Sequence, residues 1–104
     1  MADDKLQIKD YQPGETIFAE GDPGTSAYIV ESGMVEITKS SGHGSSLMLA
    51  SIKAGEMFGE MAAIDGLPRS AWVCAISNCK VISLPGTTFL NLLKNNADIS
   101  LKIL

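Results

Sequence analysis

Glu60 and Arg69 lie nine residues apart in the segment 55–71, GEMFGEMAAIDGLPRSA, whose other residues are mostly small or apolar. A carboxylate and a guanidinium in such a setting can be read as a surface ion pair beside a turn. They can also be read as the two polar ends of a small-ligand site. The planar guanidinium of Arg69 can grip two phosphate oxygens at once, worth about 1.5–3 kcal/mol when desolvated. Glu60 would repel that phosphate, so its use must differ. As an acceptor it can take a hydrogen bond from a neighbouring hydroxyl, such as that of a ribose. Gly55, Gly59 and Gly66 let the backbone turn sharply and come close to a ligand. Met61, Ala62, Ala63 and Ile64 suit a short helical turn, whose first amides lack internal partners and favour an anion. Ser70 adds a hydroxyl, and the amides near Ser70 and Ala71 add donors if a strand begins there. Donors for a phosphate and an acceptor for a hydroxyl together describe a sugar phosphate or nucleotide.

The remaining reactive side chains are few. Cys74 and Cys79 are five apart, which is neither a CxxC pair nor a zinc spacing, and read as free structural thiols. The single histidine, His43, sits in a Gly-Ser loop. A β-roll metalloenzyme needs several His and carboxylate ligands converging on one ion, so no metal is expected. No GxxxxGK[ST] segment is present, and no histidine lies near either cysteine in sequence to activate it. These absences favour a non-catalytic protein.

The totals agree with a single domain covering residues 1–104. The composition is 45% hydrophobic and 19% charged, ordinary for a globular chain. A net charge of −4 with scattered basic residues argues against direct nucleic-acid binding. No apolar run is long enough to span a membrane, and Met1-Ala2-Asp3-Asp4 is too acidic to open a secretory signal. A soluble, cytoplasmic protein is expected.

The elements that must position the candidate residues are mostly strands. Turn signals separate apolar segments at 16–20, 27–31, 34–39, 47–53, 70–76 and 80–84. Val35 and Ile37 alternate with Glu36 and Thr38, the pattern of a half-buried strand. Residues 72–76 run without alternation, which predicts a strand covered on both faces. Short strands with a turn about every ten residues predict a mainly β fold, an antiparallel barrel or jelly roll over about 12–86. Flanking helices follow over about 87–104: one capped by Thr87 or Thr88, and a second from Asp98.

Phe58-Gly59-Glu60-Met61-Ala62-Ala63, followed by Pro68-Arg69-Ser70-Ala71, closely resembles the phosphate-binding cassette of cyclic nucleotide-binding domains. Arg69-Ser70-Ala71-Trp72-Val73 is especially similar to the sensor domain of bacterial catabolite activator proteins. Pro13 to Phe18, Glu20-Gly21-Asp22, Tyr28-Ile29-Val30 and Ser32 to Val35 follow the family's early strands and turns in order. The resemblance implies a β-roll that binds cAMP or cGMP, with no other cofactor. Arg69 would pair with the cyclic phosphate and Glu60 would accept from the ribose 2′-hydroxyl. Gly59, Met61 and Ala62 would give backbone contacts, Ser70 and Ala71 would close the phosphate side, and Val35, Leu49 and Ile52 would line the rest. In the bacterial activators a long helix follows the roll, forms the dimer and covers the base, and this chain ends where that helix would begin. The partner that the resemblance implies is an effector domain, or a second copy, reached through the C-terminal helix. The family associates Thr after the cassette arginine with cGMP, while the activators with Arg-Ser-Ala use cAMP, so cAMP is favoured over cGMP. The alternative is a degenerate roll serving as a structural or protein-interaction module, or one sensing a different small molecule.

Overall fold

The computed structural model describes residues 6–41 and 44–95. Eight strands and two short helices occur among them, in the order β1 (Gln7–Tyr11), β2 (Thr16–Phe18), β3 (Ala27–Ser32), β4 (Met34–Ser40), β5 (Ser46–Lys53), β6 (Met57–Phe58), α1 (Glu60–Asp65), β7 (Trp72–Ala75), β8 (Cys79–Leu84) and α2 (Gly86–Asn95). The strands form two four-stranded antiparallel sheets, ordered β1-β8-β3-β6 and β2-β7-β4-β5. This is the antiparallel β-roll with flanking helices that the resemblance implies, and it agrees with the mainly antiparallel β fold read from the strand and turn pattern.

Side chains from both sheets meet in one core. Tyr28, Val30 and Val81 come from the first sheet and Val35, Val73 and Ala75 from the second, with Phe58 joining them from β6. In β7, inward residues alternate with outward ones, so that strand buries one face against the opposite sheet. A second cluster lies at one end. There Phe89 of α2 packs, fully buried, with Ala27 of β3 and Ala63 of α1. This wedge joins the short helix of the 55–71 segment to the helix that follows the roll.

The structure corrects several expectations. The sheet begins at β1, ahead of the expected start near residue 12. Four of the five β1 residues are exposed, so no burial alternation marks it, and its backbone pairing with β8, from Gln7↔Ser83 to Tyr11↔Cys79, defines it instead. β6 has only two residues, too few for any period to show. Strand β7 does alternate: Val73 and Ala75 are buried while Trp72 and Cys74 are half-exposed. Its run of apolar residues reflects composition rather than burial on both faces. Helix α2 starts at Gly86, so Thr87 and Thr88 lie inside its first turn instead of capping it. His43 and the second helix predicted from Asp98 lie outside the described residues.

Candidate functional site

The 55–71 segment folds as the small-residue pattern suggests. Gly59 precedes α1 with φ 77° and ψ 4°, a left-handed conformation that glycine adopts without the cost of a Cβ. A Cβ there would also meet Arg69 Nη1 at 3.1 Å, with Phe18 Cε2 and Tyr28 Cδ2 both at 3.2 Å. The six-residue helix α1 carries Glu60 in its first turn, and no side chain caps its start. Gly66 closes it, its N–H donating to Ala62 O at 3.0 Å.

Arg69 is held by its backbone first. Its N–H donates to Asp22 O at 2.8 Å, and its carbonyl accepts from Gly21 N–H at 2.7 Å. Asp22 in turn ties its own turn together by accepting from Ala19 N–H at 3.0 Å. The side chain is only 5% exposed. Nη1 donates to Gly59 O at 2.8 Å and Nη2 donates to Ser26 O at 3.0 Å. The guanidinium carbon lies 4.2 Å from the centroid of the Phe18 ring and 5.7 Å from that of Tyr28. The Nε atom is buried and has no hydrogen-bond partner among the described residues. Burial pushes the guanidinium pKa below its ordinary value, an effect that Tyr28 and Asp22 oppose. Arginine nevertheless keeps its proton at any neutral pH. The result is a dehydrated cation bonded to neutral carbonyls, with hydrogen-bonding capacity left over.

This cation borders a cavity of about 240 Å³. Gly59, Glu60, Met61, Ala62, Arg69, Ser70 and Ala71, the seven residues expected from the segment, all line it. Chain folding thus brings a carboxylate, a guanidinium and a serine hydroxyl to one concavity. Such a space can take a small anion that also carries a hydroxyl donor. The bland alternative of a surface Glu60–Arg69 ion pair fails, since Arg69 is buried and its side chain donates only to carbonyl oxygens.

Val35, Leu49 and Ile52 are not brought to this cavity. Val35 is completely buried in the core between the sheets, and Ile52, its partner across β4 and β5, packs against the same core. Leu49 is 52% exposed. It occupies a register shift, where Ile37 faces Ala50 and Thr38 faces Met48, so Leu49 has no opposite residue. Phe18, Ile37 and Val73 supply apolar wall in their place. Ile37 was legible as the next inward position after Val35. Phe18 was not, because its importance depends on the ring contact to Arg69, fifty-one residues away. Asp65 and Leu67 also border the cavity and carry no sequence signal of their own.

Comparison with known proteins adds an independent line. Residues 8–96 match the family model described as the cyclic nucleotide-binding domain. A cAMP-dependent protein kinase regulatory subunit of Yarrowia lipolytica is 40% identical over 90 residues, covering 86% of this chain and 23% of that protein. The chain spans less than half the length of the curated relatives it matches. Among solved structures, the regulatory domain of Toxoplasma gondii PKA, crystallised with cAMP, superposes with a TM-score of 0.82 at 36% identity, covering 93% of this chain and 38% of that one. The Thermus thermophilus catabolite activator protein gives a TM-score of 0.80 at 33% identity, covering 86% and 42%.

Proposed function

Since this chain belongs to the cyclic nucleotide-binding domain family, we propose that it is a non-catalytic, cytoplasmic sensor domain that binds cAMP in preference to cGMP. The observation that carries this reading is Arg69: a buried cation whose Nε has no partner among the described residues, on the wall of the cavity that Glu60 also lines. A buried polar group without a partner is costly, and an anion in the cavity would offset that cost. Arg69 would take the cyclic phosphate and Glu60 the ribose 2′-hydroxyl, with Gly59, Met61 and Ala62 alongside the sugar and phosphate. Ser70 and Ala71 would close the phosphate side. The preference for cAMP is supported by the Arg69-Ser70-Ala71 sequence and by the relatives named for or crystallised with cAMP.

The readout would run through Phe89. It touches the cluster containing Ala63 of α1, so movement of the cassette helix would be felt by α2. Ligand binding can shift that contact only by its differential affinity for the two arrangements. In a longer protein α2 would pass the change to an effector domain or to a second copy.

Calorimetric titration with cAMP and with cGMP, for the protein and for Arg69→Ala, tests this reading. Saturable binding, tighter for cAMP and at least about tenfold weaker in the variant, is expected from the loss of a charge-assisted contact. No binding of either nucleotide at millimolar concentration would instead favour a structural module or a sensor of another molecule.

A further inference from the structure

Arg69 is held in place by more than its two hydrogen bonds. Its guanidinium carbon sits 4.2 Å from the Phe18 ring centroid, closer than to any other described ring. That ring is braced in turn: its centroid is 5.9 Å from Tyr28 and 6.0 Å from Phe58, which stack on each other at 5.1 Å. Two glycines leave little room beside the guanidinium. A Cβ on Gly24 would come within 3.2 Å of Nη2, and one on Gly59 within 3.1 Å of Nη1. Phe18 closes β2, immediately before the turn whose Gly21 and Asp22 hold the Arg69 backbone.

We propose that Phe18 is the positioning residue for Arg69, its ring face holding the guanidinium at the cavity wall with the Nε–H left unpaired for an incoming anion. The proposal rests on the reading of this cavity as a cyclic nucleotide site and adds to it a residue outside the cassette. An aromatic face attracts a guanidinium through its quadrupole, most strongly where water is excluded, and restricts it to a plane parallel to the ring. Two carbonyl acceptors alone would leave the group free to tilt about the line joining them. With the ring beneath it, the cation is already oriented when the ligand arrives, so less ordering cost falls on binding. Leucine at this position would keep an apolar side chain of somewhat smaller volume and remove the face.

The test is calorimetry with cAMP on the protein, Phe18→Leu and Phe18→Tyr, each also in an Arg69→Ala background at millimolar nucleotide. Phe18→Leu is expected to weaken binding roughly three- to thirtyfold, the range of a partly buried cation–π contact. Phe18→Tyr should stay within about threefold of the parent, because it keeps the ring. In the Arg69→Ala background the leucine penalty should vanish, since there is no guanidinium left to position. Unchanged binding by Phe18→Leu overturns the proposal, as does an equal penalty with and without Arg69.

A second readout needs no nucleotide. In the ligand-free protein the Arg69 Nε–H nitrogen–proton resonance should be shifted upfield by the ring and protected from solvent exchange. Both features should be lost in Phe18→Leu and kept in Phe18→Tyr. A resonance indifferent to Phe18→Leu refutes the positioning role even if neither nucleotide binds. Failure of nucleotide binding with the resonance behaving as expected refutes only the choice of ligand.

Discussion

At the scale of single residues, Glu60 and Arg69 divide the chemistry of the cavity by sign. Arg69 is a donor with no acceptor role, and Glu60, when ionised, is an acceptor with no donor role. If Glu60 accepts from a ribose hydroxyl, Glu60→Ala should weaken cAMP binding by about ten- to a hundredfold, the loss of a hydrogen bond to a charged group. The same substitution should make little difference to 2′-deoxy-cAMP, because that ligand has no hydroxyl to lose. Titration of both proteins with both ligands checks this, and a penalty of equal size for the two nucleotides would assign Glu60 some other role. The immediate neighbours of these two residues were easy to name from sequence, since they are contiguous with them. Val35, Leu49 and Ile52 were expected at the wall as apolar side chains of the roll, and a place in the roll does not say which end of a sheet a side chain faces.

At the scale of elements, α1 and α2 depend on each other. A six-residue helix is far too short to be stable alone in water. It is held by Ala62 and Ala63, both buried, and by the contact of Ala63 with the cluster around Phe89. Truncating Phe89, which has no exposed surface, should therefore cost about 3–5 kcal/mol by the usual price of an emptied aromatic site. Phe89→Leu should cost less and leave the roll intact. If α1 is braced by this contact, the leucine variant should also lower cyclic nucleotide affinity, although residue 89 does not border the cavity. Chemical denaturation and calorimetry on the same samples measure the two effects together. An unchanged affinity with lowered stability would show that the second cluster supports the fold without supporting the site.

At the scale of the whole molecule, the two sheets close around a core that also takes in part of an ionisable side chain. Tyr11, at the end of β1, packs against this core, and its phenol is pushed above its ordinary pKa by burial, then by Tyr28 and Glu15. A raised folded pKa means that the folded state holds the proton more tightly than the unfolded chain does. The stability this contributes is fully present below the unfolded value of about 10 and is lost as pH rises through the higher folded value. Thermal melts between about pH 8 and pH 12 should show a decline in this window, and Tyr11→Phe should reduce its steepness. A variant that declines as steeply as the parent would place the alkaline sensitivity elsewhere.

Sequence by itself determined what depends on neighbours along the chain. The alternation of Val35 and Ile37 and the turn residues between short apolar runs were enough for a mainly antiparallel β fold, and the grouping of Gly59, Glu60, Arg69 and Ser70 in one segment was enough to single that segment out. Local sterics and local periodicity govern these features, and both are written in consecutive residues. The tertiary structure decided what depends on contacts between distant segments. It placed β1 against β8, put Leu49 at a register shift, and set the Phe18 ring against the Arg69 guanidinium between two glycines. Those outcomes follow from sheet pairing and packing across the core. No spacing within either segment encodes them, because each partner is an ordinary residue until the other arrives.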